Sequence, residues 1–266
     1  KKAEKISQDF KTTFAARSLM SYLNKFEIET SYGIKAWKRW GNTAEQIIKS
    51  NPYVLCIQGV DLSFSRADAV AAKSDIPADS ECRIKAGITY ILRQNADQGH
   101  TCLPLDSLVK TAVSYLDVDE KLIKKVIEDE TEEENLYYYD KHGRRFVMLA
   151  DFYKAEDYIA RRLAIMRQIS YDNKIDFSEV IDLEEENNGI QYEKIQREAI
   201  NLALSKGFLV LTGGPGTGKT TTLNAIISLY QQQGLNVMIC APTGRAAKRL
   251  SDLTGFDAKT IHRLLE

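Results

Sequence analysis

Phe208-Leu209-Val210-Leu211-Thr212-Gly213-Gly214-Pro215-Gly216-Thr217-Gly218-Lys219-Thr220 is the stretch on which the reading of this 266-residue chain turns. A short apolar run gives way to a loop of the form Gly-x-x-x-x-Gly-Lys-Thr, and an amphipathic helical pattern follows, which is the context a phosphate-binding loop requires. Glycines permit turns that a Cβ forbids, so successive amides at a helix N-terminus can wrap a triphosphate. Gly214, Pro215, Gly216, Thr217, Gly218, Lys219, Thr220 and Thr221 are thus the candidate ATP-binding residues. Lys219 would meet the β- and γ-phosphates and Thr220 the Mg²⁺, which makes these two the candidate catalytic residues.

Beyond the loop, Val237-Met238-Ile239-Cys240 reads as a second strand running into Ala241-Pro242-Thr243-Gly244. Helix, strand, loop, helix, strand, loop, helix is the opening of a doubly wound parallel α/β domain. A P-loop NTPase also needs an acidic residue on a later strand to hold Mg²⁺ and position water. No apolar run ending in Asp-Asp or Asp-Glu follows Lys219, and the chain begins at Lys1 without an initiator Met. It therefore reads as an excerpt of a larger protein, whose 266 residues alone are expected to hydrolyse ATP negligibly. A sheet with two evident strands should leave apolar faces uncovered.

An apolar fraction of 44% suits globular packing, and the length allows two or more domains. No uninterrupted apolar run exceeds five residues, far below the roughly 20 of a membrane helix. No signal peptide is visible. A cytoplasmic protein with no membrane partner is the expectation. Cys56, Cys82, Cys102 and Cys240 lack metal-ligand spacing and read as reduced core cysteines. The net charge of −1 conceals segregation: residues 1–60 carry ten Lys/Arg against five Asp/Glu, and residues 213–266 carry six against three. Two acidic runs, Glu128 to Glu134 and Asp182 to Glu186, cancel them in the sum and read as solvated turns or helix ends.

Helical periodicity dominates residues 1–79, with Leu19, Tyr22 and Leu23 on one face, Trp37 and Trp40 on another, and Ala67, Val70 and Ala71 inward. Residues 80–150 give three helices and then a hairpin, Leu136-Tyr137-Tyr138-Tyr139 and Phe146-Val147-Met148-Leu149 around a turn at Asp140-Lys141-His142-Gly143. That order fits a winged-helix-like α+β region, and equally a purely structural subdomain. Residues 151–189 read as a helix and an acidic connector, and residues 190–266 as the N-terminal part of the ATPase domain. The chain is accordingly expected to be multidomain: an all-α region, a winged-helix-like region, then a truncated α/β P-loop domain.

Gln196-Arg197-Glu198-Ala199-Ile200 places a glutamine 23 residues before Lys219, and Ala241-Pro242-Thr243-Gly244-Arg245-Ala246-Ala247 follows the second strand. These resemble the Q motif and motif Ia of superfamily 1 helicases. The segment Thr212 to Thr222, with Thr260-Ile261-His262-Arg263-Leu264-Leu265, is similar to RecD/TraA-type DNA helicases. Asn51-Pro52-Tyr53, Arg66-Ala67-Asp68, Arg83-Ile84-Lys85-Ala86, Gly99 to Pro104 and Ala155-Glu156 extend the resemblance to the free-standing RecD-like kind. It implies helix-hairpin-helix elements in the early region, a RecA-like ATPase domain, and ATP-driven 5′-to-3′ translocation on single-stranded DNA in repair or recombination. It also implies adenine selection by Gln196, DNA contact by Pro242, Thr243, Gly244, Arg245, Thr260 and His262, and DNA-repair proteins as partners. Oligomeric state has no signature in the sequence.

In the stretch resembling the helix-hairpin-helix turn, Ile57-Gln58-Gly59-Val60-Asp61-Leu62-Ser63-Phe64, Asp61 stands where the pattern has its second glycine and the turn is two residues longer. A carboxylate repels phosphate, so a structural role competes there with DNA contact. The alternatives are helix caps at Thr243 and Thr260, a solvated Arg245, a packed His262 and a surface Gln196. His100 reads as structural, and the three tyrosines as core and wing surface of which at least one faces solvent. Two other functions stay open: a module docking DNA or protein, and a P-loop NTPase of another class.

Overall fold

The computed structural model describes residues 2–169 and 177–266. They form two compact units, Lys1–Glu156 and Asp157–Glu266.

The first unit opens with α1 (Lys2–Asn24), α2 (Thr30–Trp40) and α3 (Ala44–Ser50). A 3₁₀ turn over Pro52–Cys56 follows, started by Asn51, whose side chain accepts from the Tyr53 amide at 3.0 Å. A hairpin turn then leads to α4 (Phe64–Ala72), whose Ala67, Val70 and Ala71 are buried as the periodicity requires. Next come α5 (Glu81–Asp97), β1 (Cys102–Pro104), α6 (Leu105–Leu116) and α7 (Glu120–Glu132), the last capped by Asp119. The hairpin of β2 (Leu136–Lys141) and β3 (Arg144–Leu149) completes an antiparallel sheet in the order β1-β3-β2. His142 and Gly143 both have positive φ at its tip, as a two-residue turn matched to strand twist demands.

One hydrophobic core runs from Leu19 through Ile48, Leu55, Ile84, Leu108 and Ile123 to Leu149. The expected division near residue 80 therefore falls inside a shared core. Arg83 reinforces the continuity. Its guanidinium donates to both carboxylate oxygens of Asp68 on α4, at 2.8 and 3.2 Å, and to the carbonyls of Ala78 and Leu116, at 2.7 and 2.8 Å. Trp37 and Trp40 pack partly buried against the same core. Of the three tyrosines, Tyr137 stacks on Tyr153 with ring centroids 4.1 Å apart, Tyr138 lies under Arg145, and Tyr139 is exposed.

In α8 (Ala150–Gln168) no residue is buried. The second unit continues with α9 (Ser178–Asn188), α10 (Lys194–Ser205), α11 (Lys219–Gln232), β4 (Ile239–Ala241), α12 (Gly244–Thr254), β5 (Ala258–Thr260) and α13 (Ile261–Leu265). Its core joins α9, α10 and α11 through Ile181, Ile200, Leu204, Ala225 and Leu229.

Two expectations are corrected here. The acidic run Asp182 to Glu186, read as connector, lies within helix α9. It holds because Arg197 of α10 bridges Asp182 and Glu185, while buried Glu184 accepts from Asn188 and Gln232 at 2.9 and 2.8 Å. The run Phe208 to Leu211, read as a strand, belongs to no ladder among the described residues. The ladder that does form is parallel, between β4 and β5, pairing Ile239 with Ala258 and Ala241 with Thr260. Val210 and Met238, both outside that ladder, are 65% and 69% exposed. Among the described residues no helix is long and apolar enough to cross a membrane.

Candidate nucleotide and nucleic-acid site

The glycine-rich loop is built by backbone conformations that its sequence makes accessible. Gly216 and Gly218 have φ of +76° and +78°, a region that costs an ordinary L-residue about 1–2 kcal/mol. Gly218 is also the N-cap of α11, so the loop ends on the first turn of a 14-residue helix whose unpaired amides and dipole favour an anion. Inside the loop the Thr217 hydroxyl donates to the Gly214 carbonyl at 2.9 Å. The Lys219 ammonium donates to the carbonyls of Gly213 and Gly214, both at 2.5 Å, and lies 3.5 Å from Thr217 Oγ1. Lys219 and Thr220 are half-buried on the first turn of the helix, and Gly213 to Thr217 are exposed. The Thr222 hydroxyl anchors the turn by donating to the Gly218 carbonyl at 3.1 Å.

Gln196 comes to this loop from α10. A Cβ built on Gly218 would stand 2.1 Å from Gln196 Nε2, so the carboxamide is packed directly against the last glycine of the loop. Its other end is fixed as well, since Oε1 accepts from the Glu193 amide at 2.9 Å, half of a reciprocal capping box with the Glu193 side chain. Glu193 was not singled out in the sequence, although Glu-x-x-Gln at the start of an apolar helical run carries the signal. A second contribution that the sequence reading lacked is β5. Three residues flanked by Gly255 and by a helix are too few to show strand alternation.

The register of β5 beside β4 brings the second group of candidates together. The two strands are parallel and end at Ala241 and Thr260, so Pro242, Thr243, Gly244 and Arg245 leave the sheet beside Thr260, Ile261 and His262. Both hydroxyls serve as helix caps: Thr243 Oγ1 accepts from the Ala246 amide at 3.2 Å, and Thr260 Oγ1 from the Arg263 amide at 3.3 Å. Accepting leaves each O–H available to a further acceptor. Arg245, Lys248, Arg249, Lys259, His262 and Arg263 are all exposed. Among the described residues no group of His, Cys, Asp and Glu could hold a metal ion. Cys56, Cys82, Cys102 and Cys240 are all free thiols, and burial pushes Cys56 up to about 12.

Comparison with known proteins finds matches in both units. A family model described as the ATP-dependent RecD2 DNA helicase HHH domain matches residues 12–102, and one described as an AAA domain matches residues 196–266. The ATP-dependent RecD2 DNA helicase of Deinococcus radiodurans is 28% identical over 260 residues, covering 94% of this chain and 36% of that protein. The RecBCD enzyme subunit RecD of Mycolicibacterium smegmatis is 42% identical over 93 residues, covering 26% of this chain and 17% of that protein. DNA-binding protein SMUBP-2 of Mus musculus is 43% identical over 70 residues, covering 26% and 7%. The chain spans 36% or less of the length of each of these relatives. With its helical region and its phosphate loop matched in chain order, and one relative aligned along nearly all of it, the chain is similar to the RecD-like helicases over a helix-hairpin-helix region and the AAA domain that follows it.

Proposed function

We propose that this chain supplies the ATP-binding loop and part of the DNA-binding edge of an ATP-dependent helicase that moves 5′-to-3′ along single-stranded DNA in cytoplasmic DNA repair or recombination. The loop from Gly214 to Thr221 cradles the triphosphate of ATP. Lys219 exchanges the carbonyls of Gly213 and Gly214 for β- and γ-phosphate oxygens, and Gln196 reads the adenine edge. The Thr220 hydroxyl, beside Lys219 on the first turn of α11, is a hard oxygen donor of the kind Mg²⁺ takes, and the ion neutralises phosphate charge when bound with the nucleotide. Pro242, Thr243, Gly244, Arg245, Thr260 and His262 line the strand ends, the usual ligand edge of such a sheet. Their contacts with DNA phosphates would position the strand without reading its sequence.

The observation that carries this reading is the packing of Gln196 against Gly218, which joins an adenine-selecting group to a phosphate loop. The test is binding of a fluorescent ATP analogue and of a labelled single-stranded oligonucleotide to the 266-residue chain. Lys219→Ala is expected to abolish nucleotide binding, and Arg245→Ala to weaken the oligonucleotide while leaving nucleotide affinity unchanged. Undiminished nucleotide binding by Lys219→Ala would refute the assignment. Residues 80–150 we read as a winged-helix-like module that docks DNA or a partner protein. The order helix, strand, two helices, hairpin and the strand order β1-β3-β2 support it.

A further inference from the structure

The turn between the 3₁₀ segment and α4, Ile57-Gln58-Gly59-Val60, keeps the glycine and following apolar residue of a hairpin that grips a DNA backbone phosphate with its amides, and the family match places it within the helix-hairpin-helix region. Its core side is fixed, since Val60 and Leu62 are 1% and 3% exposed. The amide directions are therefore fixed too. The Val60 and Asp61 amides donate to the Ile57 carbonyl at 3.1 and 3.0 Å, and the Leu62 amide donates to the Leu55 carbonyl at 2.9 Å. The Gly59 amide points instead at Asp61, whose Oδ1 accepts from it at 3.0 Å. The second oxygen of the same carboxylate lies 3.5 Å from the ammonium of Lys35, which comes from α2 and also donates to the Val60 carbonyl at 3.2 Å. One amide and one ammonium, from two separate elements, thus converge on a single anion, and the chain provides that anion itself.

We propose that Asp61 is a tethered phosphate surrogate, which closes the anion site formed by the Gly59 amide and Lys35 and prevents this hairpin from holding a DNA phosphate. Backbone geometry makes the idea testable. Asp61 has φ of +63°, a conformation that Gly adopts without strain and Asn tolerates better than other residues. Asp61→Gly would then keep the turn while freeing both the amide and the ammonium. Asp61→Asn keeps the acceptor oxygen and the turn but removes the charge.

The inference concerns the first unit and rests on neither the phosphate loop nor Arg245, so the measurement is made in the Arg245→Ala chain. Anisotropy of a fluorescein-labelled DNA duplex is followed from about 50 to 200 mM salt. Asp61→Gly is expected to tighten binding about tenfold at the lowest salt and to steepen the dependence of log affinity on log salt by about one, the signature of one added phosphate contact. Adding Lys35→Ala should return affinity and slope to those of the parent, and Asp61→Asn should give a smaller gain. Unchanged or weakened binding by both Asp61 variants, with circular dichroism matching the parent, would overturn the proposal. So would a gain that survives the loss of Lys35. Nucleotide affinity is expected to be identical in all of these proteins, so a failure of the ATP assignment would register separately.

Discussion

Gly218 shows how much a single position carries. It holds the left-handed turn that ends the loop, it caps α11, and it leaves the space in which Gln196 lies. Gly218→Ala must both accept a strained φ and displace the carboxamide from 2.1 Å, so it is expected to lower nucleotide affinity more than tenfold and to destabilise the second unit by about 1–2 kcal/mol. Gly214→Ala is the control within the same loop, because its φ is not positive and the nearest atom to a built Cβ, Thr217 Cγ2, lies at 4.0 Å. Its melting temperature should match the parent's. Equal destabilisation by both substitutions would mean that the Gln196 contact does not decide the outcome. At this scale the sequence was most legible, since Gly-x-x-x-x-Gly-Lys-Thr is a covalent spacing that needs no tertiary knowledge. Asp61 was legible only by half: its carboxylate is visible in the sequence, but the direction of the Gly59 amide and the approach of Lys35 from 26 residues away are tertiary facts.

Among elements, the joint of α4, α5 and α6 depends on one ion pair. Burial of Asp68 opposes its ionisation, but the Arg83 guanidinium and the Tyr53 hydroxyl outweigh burial and hold the carboxyl below its usual range. Burial and this hydrogen bond together raise Tyr53. A carboxyl whose folded value lies below its unfolded value stabilises the protein above the unfolded value, and that stability is lost as pH falls through the folded one. The contribution of Asp68 is therefore present at neutral pH and begins to be lost below about pH 4. Asp68→Asn is expected to cost about 2 kcal/mol at pH 7, the range of hydrogen bonds to a charged group. In denaturant melts its stability should also depend less on pH than the parent's in the acid limb. A parallel acid limb in both proteins would place the titrating group elsewhere. The helices themselves followed from apolar spacing, and the hairpin from its tyrosine run and Gly143. α9 did not, because its stability comes from Arg197 and Gln232 on other helices rather than from its own acidic sequence.

On the scale of the whole molecule, core continuity and sequence punctuation give different divisions. The Pro-containing, polar stretch before residue 80 looks like a linker, yet α4 and α5 bury Val70, Ala71, Ile84 and Ile88 in one core, and Arg83 ties the stretch down from within. Linker composition reports low local propensity, and tertiary packing overrides it. The second core shares no buried residue with the first: it consists of Phe177, Ile181, Tyr192, Ile200, Ala203, Leu204, Ala225, Ile226 and Leu229. Cores of this kind unfold cooperatively within themselves, so thermal denaturation is expected to show two transitions. Asp68→Asn should lower one of them, because Asp68 belongs to the first core's joint, and leave the other in place. A saturating ATP analogue with Mg²⁺ should raise the other and leave the first in place, since a ligand stabilises the unit that binds it by RT ln(1 + [L]/Kd). At about 100 times Kd that amounts to about 2.7 kcal/mol, a shift of several degrees in a unit of this size. Calorimetry of the parent, of Asp68→Asn and of each with nucleotide decides the matter. A single transition that responds to both perturbations would show that the two cores unfold as one cooperative body, and the nucleotide would then be felt at Asp68.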